Sequence, residues 1–210
     1  MKLLHIDSSI SRETSVSRQL SAAIVQALAA AAPGLEIVRR DLDTDPIPHL
    51  DSRLLPAVRP DIAAGPATRA TDDKGTAALD EFLGADIVVI GAPMYNFTIP
   101  SQLKAWLDRI IVAGKTFSYG ATGAKGLAGG KKVIIASSRG GLYAPGMPQQ
   151  TFDFQETYLR AVFGFIGIDG IEIVRAEGVA YGPEQRDAAM RAALASVGPA
   201  VAGLALAKAA

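Results

Sequence analysis

The chain has 210 residues and a mass of 21.8 kDa, with 49% hydrophobic and 20% charged residues, a composition that suits a single folded domain over residues 1–210. Its 21 Lys and Arg balance 21 Asp and Glu, so no basic surplus is offered to nucleic-acid phosphates. Cysteine is absent, which removes disulfides, thiolate metal sites and thiol nucleophiles, and no run reaches the roughly 18 to 20 apolar residues that span a bilayer.

In chain order, Lys2-Leu3-Leu4-His5-Ile6-Asp7 predicts a first strand. It is too short and too quickly acidic for a secretory signal, so the expected location is cytoplasmic. From Ser17, Leu20, Ile24, Leu28 and Ala31 recur at helical spacing until Pro33-Gly34. Leu35 to Val38 predicts a second strand. The stretch from Thr44 to Ala70, rich in Pro, Asp and Ala, reads as a long excursion with little regular structure. A helix over 72–83 is expected to bury Leu79, Phe82 and Leu83, with Gly75 inside it. Ala85 to Ile90 predicts the third strand, and Leu103, Trp106, Leu107, Ile110 and Ile111 form a one-sided helical stripe. Residues 114–130 hold six glycines and no periodicity, so a long loop is expected. Lys132 to Ala136 is the fourth strand. The helix near Asp153 to Ile166 is apolar around too much of its circumference for one wet side, so it either lies deep in the core or meets a second subunit, and the peripheral place of a crossover helix in a small sheet favours the second. Ile171 to Val174, extending towards Ala176, is the fifth strand. An Ala-rich helix starts at Pro183-Glu184, with a break expected at Gly198-Pro199.

Strand and helix alternate throughout, and the third and fourth strands are continuous apolar runs, as in a sheet covered on both faces. The predicted fold is therefore α/β: a doubly wound, five-stranded parallel sheet in the flavodoxin-like order 2-1-3-4-5, flanked by helices. In that order the ligand crevice lies beyond the carboxyl ends of strands 1 and 3, so the site should be built from the segments after strands 1, 3 and 4. The first of these carries five serines and a threonine before a helix: Ser8, Ser9, Ser11, Thr14, Ser15 and Ser17. Hydroxyls and free N–H groups at a helix N-terminus suit a phosphate, although one serine alone would more often be a simple cap. The second segment, Met94-Tyr95-Asn96-Phe97, offers flat apolar faces and an amide edge for a heteroaromatic ring; alone it reads equally well as a rigid loop covering the core. The third, Ser138-Arg139-Gly140-Gly141, lets backbone come close to a ligand.

Other chemistries lack their residues. G-x-G-x-x-G is missing from the first strand–helix turn, and Gly129-Gly130-Lys131-Lys132 precedes a strand and lacks the Ser or Thr of a P-loop. G-x-S-x-G is absent as well. His5 lies inside a strand and His49 between Pro48 and Leu50, which is no metal constellation.

Ser9 with Ser15-Val16-Ser17, then Met94-Tyr95-Asn96-Phe97, then Ser138-Arg139-Gly140-Gly141, resemble the FMN-binding segments of the FMN-dependent NADH-azoreductase family, also described as quinone reductases. Pro100 to Lys104, Gly164 to Ile168 and Ala176 to Pro183 look like that family too, so the likeness covers nearly the whole chain. It implies a homodimer holding one non-covalent FMN per subunit, with NADH as co-substrate. Quinones would be reduced to hydroquinones and aromatic azo bonds cleaved in alternating two-electron steps, without a partner metal, membrane or nucleic acid. Ser9, Ser15, Val16 and Ser17 would hold the phosphate; Val16 stands where a polar residue is expected and would serve through its N–H. Met94, Tyr95, Asn96 and Phe97 would flank the ring, and Ser138, Arg139, Gly140 and Gly141 its polar edge. No side chain need act as nucleophile or general base, because flavin carries the chemistry. Phe117, Tyr119 and Phe163 of the neighbouring subunit are candidate walls of the acceptor slot, or ordinary packing. The alternatives are a flavodoxin-like electron carrier, an NADPH-preferring quinone reductase or chromate and nitroaromatic reductase, and a flavodoxin-like module that has lost its cofactor and serves only for interaction.

Overall fold

A computed structural model describes residues 1–52, 54, 73–121 and 123–204. Five strands form one all-parallel sheet: β1 (Lys2–Asp7), β2 (Glu36–Asp41), β3 (Ile87–Pro93), β6 (Lys132–Ser138) and β7 (Ile171–Ala176), in the order β2-β1-β3-β6-β7. Counting sheet strands alone, this is the predicted 2-1-3-4-5.

The continuous apolar runs are explained by two cores. Ile87 and Val89 of β3 point to one face, where Leu20, Ile24 and Leu28 of α1 (Val16–Ala31) and Ala193, Val197 and Val201 of α5 (Pro183–Gly203) cover them. Val88 and Ile90 point to the other, under α2 (Asp73–Gly84), α3 (Ser101–Ile110) and α4 (Glu156–Phe165). There Phe82 packs edge-on to Trp106 with centroids 5.9 Å apart. Strand β2 is the edge of the sheet. Glu36, Arg39, Arg40 and Asp41 line it, and charge discourages further strand pairing.

Three expectations need correcting. In α2 the buried residues are Gly75, Ala78 and Phe82; Leu79 is half-buried, and Leu83 lies 37% exposed because it falls off the core-facing side. Helix α5 does not break at Gly198-Pro199 but continues to Gly203. Val197 and Val201 are both buried, and their packing against α1 holds the helix together across the missing proline N–H. Residues 114–130 are not all loop: β4 (Phe117–Gly120) and β5 (Gly123–Gly126) form an antiparallel hairpin. Thr116 Oγ1 ties its base to the end of α3, donating to Ile110 O at 2.7 Å and accepting from Val112 N at 2.9 Å. Two four-residue strands rich in glycine leave no period to read. Of the predicted excursion over 44–70, residues 53 and 55–70 lie outside the described residues.

Candidate functional site

The rim between β1 and β3 is drawn together by short contacts. Ser8 sends both its N–H (3.3 Å) and its Oγ (2.6 Å) to Gly91 O at the adjacent strand. A Cβ at Gly91 would stand 2.9 Å from Asp7 Oδ1 and 3.3 Å from Ser17 O, so glycine here lets the start of α1 approach the sheet. Ser9 is buried; its Oγ lies 3.2 Å from Tyr95 Oη and accepts Ser11 N–H at 3.2 Å. Ser15 caps α1, accepting Arg18 N–H at 3.3 Å, and its Oγ lies 3.1 Å from Ser17 Oγ. The N–H groups of Val16 and Ser17 belong to the first helical turn and have no intrahelical acceptor. They lie at the end of the helix where the backbone dipole is positive, which favours negative charge.

Beneath this loop runs a polar network. Arg18 forks Asp41 at 2.7 and 2.6 Å and donates to Ser9 O at 2.7 Å. Asp7 is buried and accepts Ser21 Oγ–H at 2.8 Å and Arg39 Nη2–H at 3.0 Å; His5 Nε2 stands 3.0 Å from the same Ser21 Oγ. Burial pushes the Asp7 carboxyl up, but His5, Ser21 and Arg39 outweigh it and hold it below the ordinary aspartate value.

The segment after β3 makes a tight turn. Tyr95 N–H donates to Thr98 O at 2.9 Å and Thr98 N–H to Tyr95 O at 3.1 Å, with φ of +49° at Asn96 and +71° at Phe97. Two positive φ values at the turn's centre are the type I′ pattern. Asn tolerates it, whereas Phe pays a steric penalty of order 1–2 kcal/mol. The strain is held by Phe154 N–H on Phe97 O at 3.1 Å and by the Phe152 ring at 5.4 Å, while Phe97 stays 46% exposed. Met94 N–H donates to Ser138 O at 2.8 Å, joining this segment to the third.

The third segment is fixed from behind. Arg139 is buried, and its guanidinium turns away from the rim to Glu156, to Glu177 at 3.1 Å and to Asp153 at 3.2 Å. Glu156 also receives the fork of Arg175 at 2.9 and 2.6 Å. What Arg139 offers the rim is therefore backbone. Ala180 N–H donates to Gly140 O at 3.1 Å and Gly178 N–H to Gly141 O at 2.9 Å, zipping this segment to the one after β7. Burial raises the Glu156 carboxyl, yet the Arg175 hydrogen bonds and the charges of Arg139 and Arg175 win and lower it. Because both folded values are depressed, Asp7 and Glu156 stabilise the fold above their ordinary values of 3.8 and 4.5, and that contribution is lost as pH falls through them. Urea unfolding midpoints should be flat from pH 7 to 5 and drop steeply below pH of about 4.5; an unchanged midpoint at lower pH would contradict this.

Of the predicted residues, Ser9, Ser15, Val16, Met94, Tyr95, Ser138, Arg139 and Gly140 line one cleft. Ser17 lies behind it with its hydroxyl against Ser15. Asn96 borders a neighbouring hollow with Tyr95, Thr98, Lys104 and Tyr158, and Gly141 and Phe97 both adjoin Tyr143. Phe117 is buried against Tyr119 at 5.3 Å and Phe165 at 4.8 Å, a cluster separate from the cleft, with Tyr119 68% exposed. Phe163 is a correction: it shares the core-facing side of α4 with Leu159 and is fully buried, so within this subunit's fold it presents no wall to a neighbour. The exposed rings of that region are Phe152, Phe154 and Phe165. Sequence reasoning missed Val179 and Arg186, which line the cleft from beyond β7, a segment outside the three expected ones. Among the described residues no three His, Asp or Glu side chains are grouped as metal ligands, and no helix is long and apolar enough to cross a membrane.

The cleft thus joins the N-terminus of α1, with its N–H groups that lack intrahelical acceptors, to the rigid turn that carries Tyr95, and among the described residues no carboxylate lines it. A family model described as a flavodoxin-like fold matches residues 1–199. The chain is 58% identical over 195 residues to the FMN-dependent NADH:quinone oxidoreductase 2 of Bradyrhizobium diazoefficiens, covering 92% of this chain and 96% of that protein. It is 56% identical over 194 residues to the FMN-dependent NADH:quinone oxidoreductase of Methylorubrum populi, with the same coverage. Among solved structures, an FMN-dependent NADH-azoreductase from Bacillus anthracis in complex with FMN superposes with a TM-score of 0.85 at 27% identity, over 98% of this chain and 99% of that one.

Proposed function

The chain belongs to the flavodoxin-like family of FMN-dependent NADH:quinone oxidoreductases, and on that premise we propose that it reduces quinones to hydroquinones and cleaves aromatic azo bonds with NADH. The observation that carries the reading is the convergence of three rim segments on one cleft at the switch point of the sheet, lined by no carboxylate among the described residues. Residues 1–210 act as a single FMN-binding domain.

The residues present fit FMN. Ser9, Ser15 and the N–H groups of Val16 and Ser17 would take its phosphate. Met94, Tyr95, Asn96 and Phe97 would flank the ring, and the backbone of Ser138, Arg139, Gly140 and Gly141 would meet its polar edge. When bound, FMN supplies acceptance of hydride from the nicotinamide and its transfer to the acceptor. The chain's own contribution is orientation and electrostatics. The Tyr95–Thr98 hydrogen bonds fix the backbone of the strained Asn96-Phe97 turn, and the Arg139 network keeps the opposing backbone from drifting. NADH and acceptor would use one slot in turn, giving ping-pong kinetics. The exposed rings of Phe97, Phe152, Phe154 and Tyr119 support a homodimer that covers them, and Phe117 and Tyr119, which cluster apart from this subunit's own cleft, would reach the acceptor slot through that dimer.

Asn96→Ala is expected to raise the FMN dissociation constant about fivefold, the equivalent of one lost hydrogen bond near 1 kcal/mol. Flavin fluorescence titration checks this, and an unchanged constant would remove Asn96 from the site. The reading as a whole is tested by releasing the bound chromophore with heat, identifying it, and measuring menadione turnover with NADH and with NADPH. FMN and parallel double-reciprocal lines are expected. A colourless protein that takes up no FMN would overturn it.

A further inference from the structure

We infer that Arg186 is the counter-charge of the FMN phosphate, completing from α5 a site that the serines and the start of α1 leave short of positive charge. This rests on the FMN reading above. A phosphate monoester carries roughly −1.5 to −2 charges near neutral pH, whereas a helix terminus supplies only about half a positive charge. A full cation would offset charge that the hydroxyls and N–H groups leave uncompensated, and most of those nearby are already engaged. Arg12 pairs with Asp43 at 3.1 Å, Arg18 forks Asp41 at 2.7 and 2.6 Å, and Arg139 is enclosed by Glu156, Glu177 and Asp153.

Arg186 differs from all three. It lines the same cleft as Ser9, Ser11, Thr14 and Ser15, and among the described residues it has no carboxylate partner. One N–H of Nη2 donates to Thr14 O at 2.6 Å, which docks the guanidinium on the first segment. A guanidinium has five N–H donors in a planar fork, so this single bond leaves donors free for phosphate oxygens. Its placement follows from the chain's entry into α5. Gly182 adopts φ +112°, Pro183 occupies the first helical turn, and Arg186 N–H donates to Gly182 O at 3.0 Å. The segment after β7 thus swings the second turn's edge over the segment after β1.

The competing role is a tether that merely fastens α5 to Thr14. The phosphate distinguishes the two, because riboflavin has the ring and ribityl chain of FMN without it. Flavin-stripped full-length protein, Arg186→Gln and Arg186→Lys are each titrated with FMN and with riboflavin by flavin fluorescence, at low and high salt. A lost charge-assisted contact should raise the FMN constant of Arg186→Gln about tenfold to a hundredfold. Riboflavin binding should be unchanged, the salt dependence for FMN should flatten, and Arg186→Lys should keep most of the affinity. Equal losses for FMN and riboflavin would overturn the inference in favour of the tether, and no loss for either would overturn it outright. Failure of the unsubstituted protein to bind FMN would instead bring down the cofactor reading on which it stands.

Discussion

Glu156→Ala is expected to cost about 3–5 kcal/mol of folding stability, the range for breaking a buried ion pair by removing one partner. Glu156 is buried between two arginines: it faces Arg139 and takes the fork of Arg175. Alanine leaves Arg139, itself buried, with Glu177 and Asp153 as its remaining anions. For a chain of this size the loss corresponds to a melting point lower by roughly 6–20 °C, at about 2–4 °C per kcal/mol. FMN affinity should fall as well, because Arg139 carries the backbone of the third segment with it. Glu156→Gln should lose less, since the amide oxygen still accepts from Arg175. A melting point within 2 °C of the parent, by roughly the same scaling, would show that the network is dispensable.

Gly126→Ala should act through a different part of the molecule. A Cβ at Gly126 would lie 2.2 Å from Gly167 N and 2.2 Å from Ile166 C, backbone that cannot rotate out of the way. The β4–β5 hairpin must then lift from the turn after α4, where Ala128 N–H donates to Ile166 O at 2.9 Å. Overpacking of this kind costs about 1–3 kcal/mol. Phe117 and Tyr119 ride on the hairpin, so KM for quinone should rise severalfold while the FMN dissociation constant stays put. Steady-state kinetics beside a flavin titration reads both. Unchanged KM would take the hairpin out of the acceptor slot, and weakened FMN binding would show that its reach extends to the cofactor cleft.

Much of the fold was legible because its signals are local. Strands β3 and β6 are apolar on every residue that meets either core, and α3 repeats Leu103, Trp106, Leu107 and Ile110 on one face. What was missed depends on contacts distant in sequence. The hairpin at 117–126 is held by Thr116 and by the turn at Ile166 rather than by its own propensity. Pro199 reads as a helix breaker until the burial of Val197 and Val201 is known. Phe163 and Phe165 are two residues apart, yet helical geometry sends one ring inside and the other outward. The part of the cleft lined by Ser9 and Ser15 was legible from the serines after β1, since they follow a strand and open a helix. Arg186 was not, because 172 residues separate it from Thr14. The side chain of Arg139 was equally hidden: the sequence places it at the rim, and only its buried carboxylate partners reveal that it faces inward.

The most direct test is anaerobic rapid mixing of the FMN-loaded protein with NADH alone, with no partner reductase present. Loss of the flavin's visible absorption at a rate no slower than kcat for quinone, restored by adding one equivalent of menadione, is the predicted result. A flavin that stays yellow with NADH, yet is reduced once a separate reductase is supplied, would make this chain an electron carrier and contradict the account.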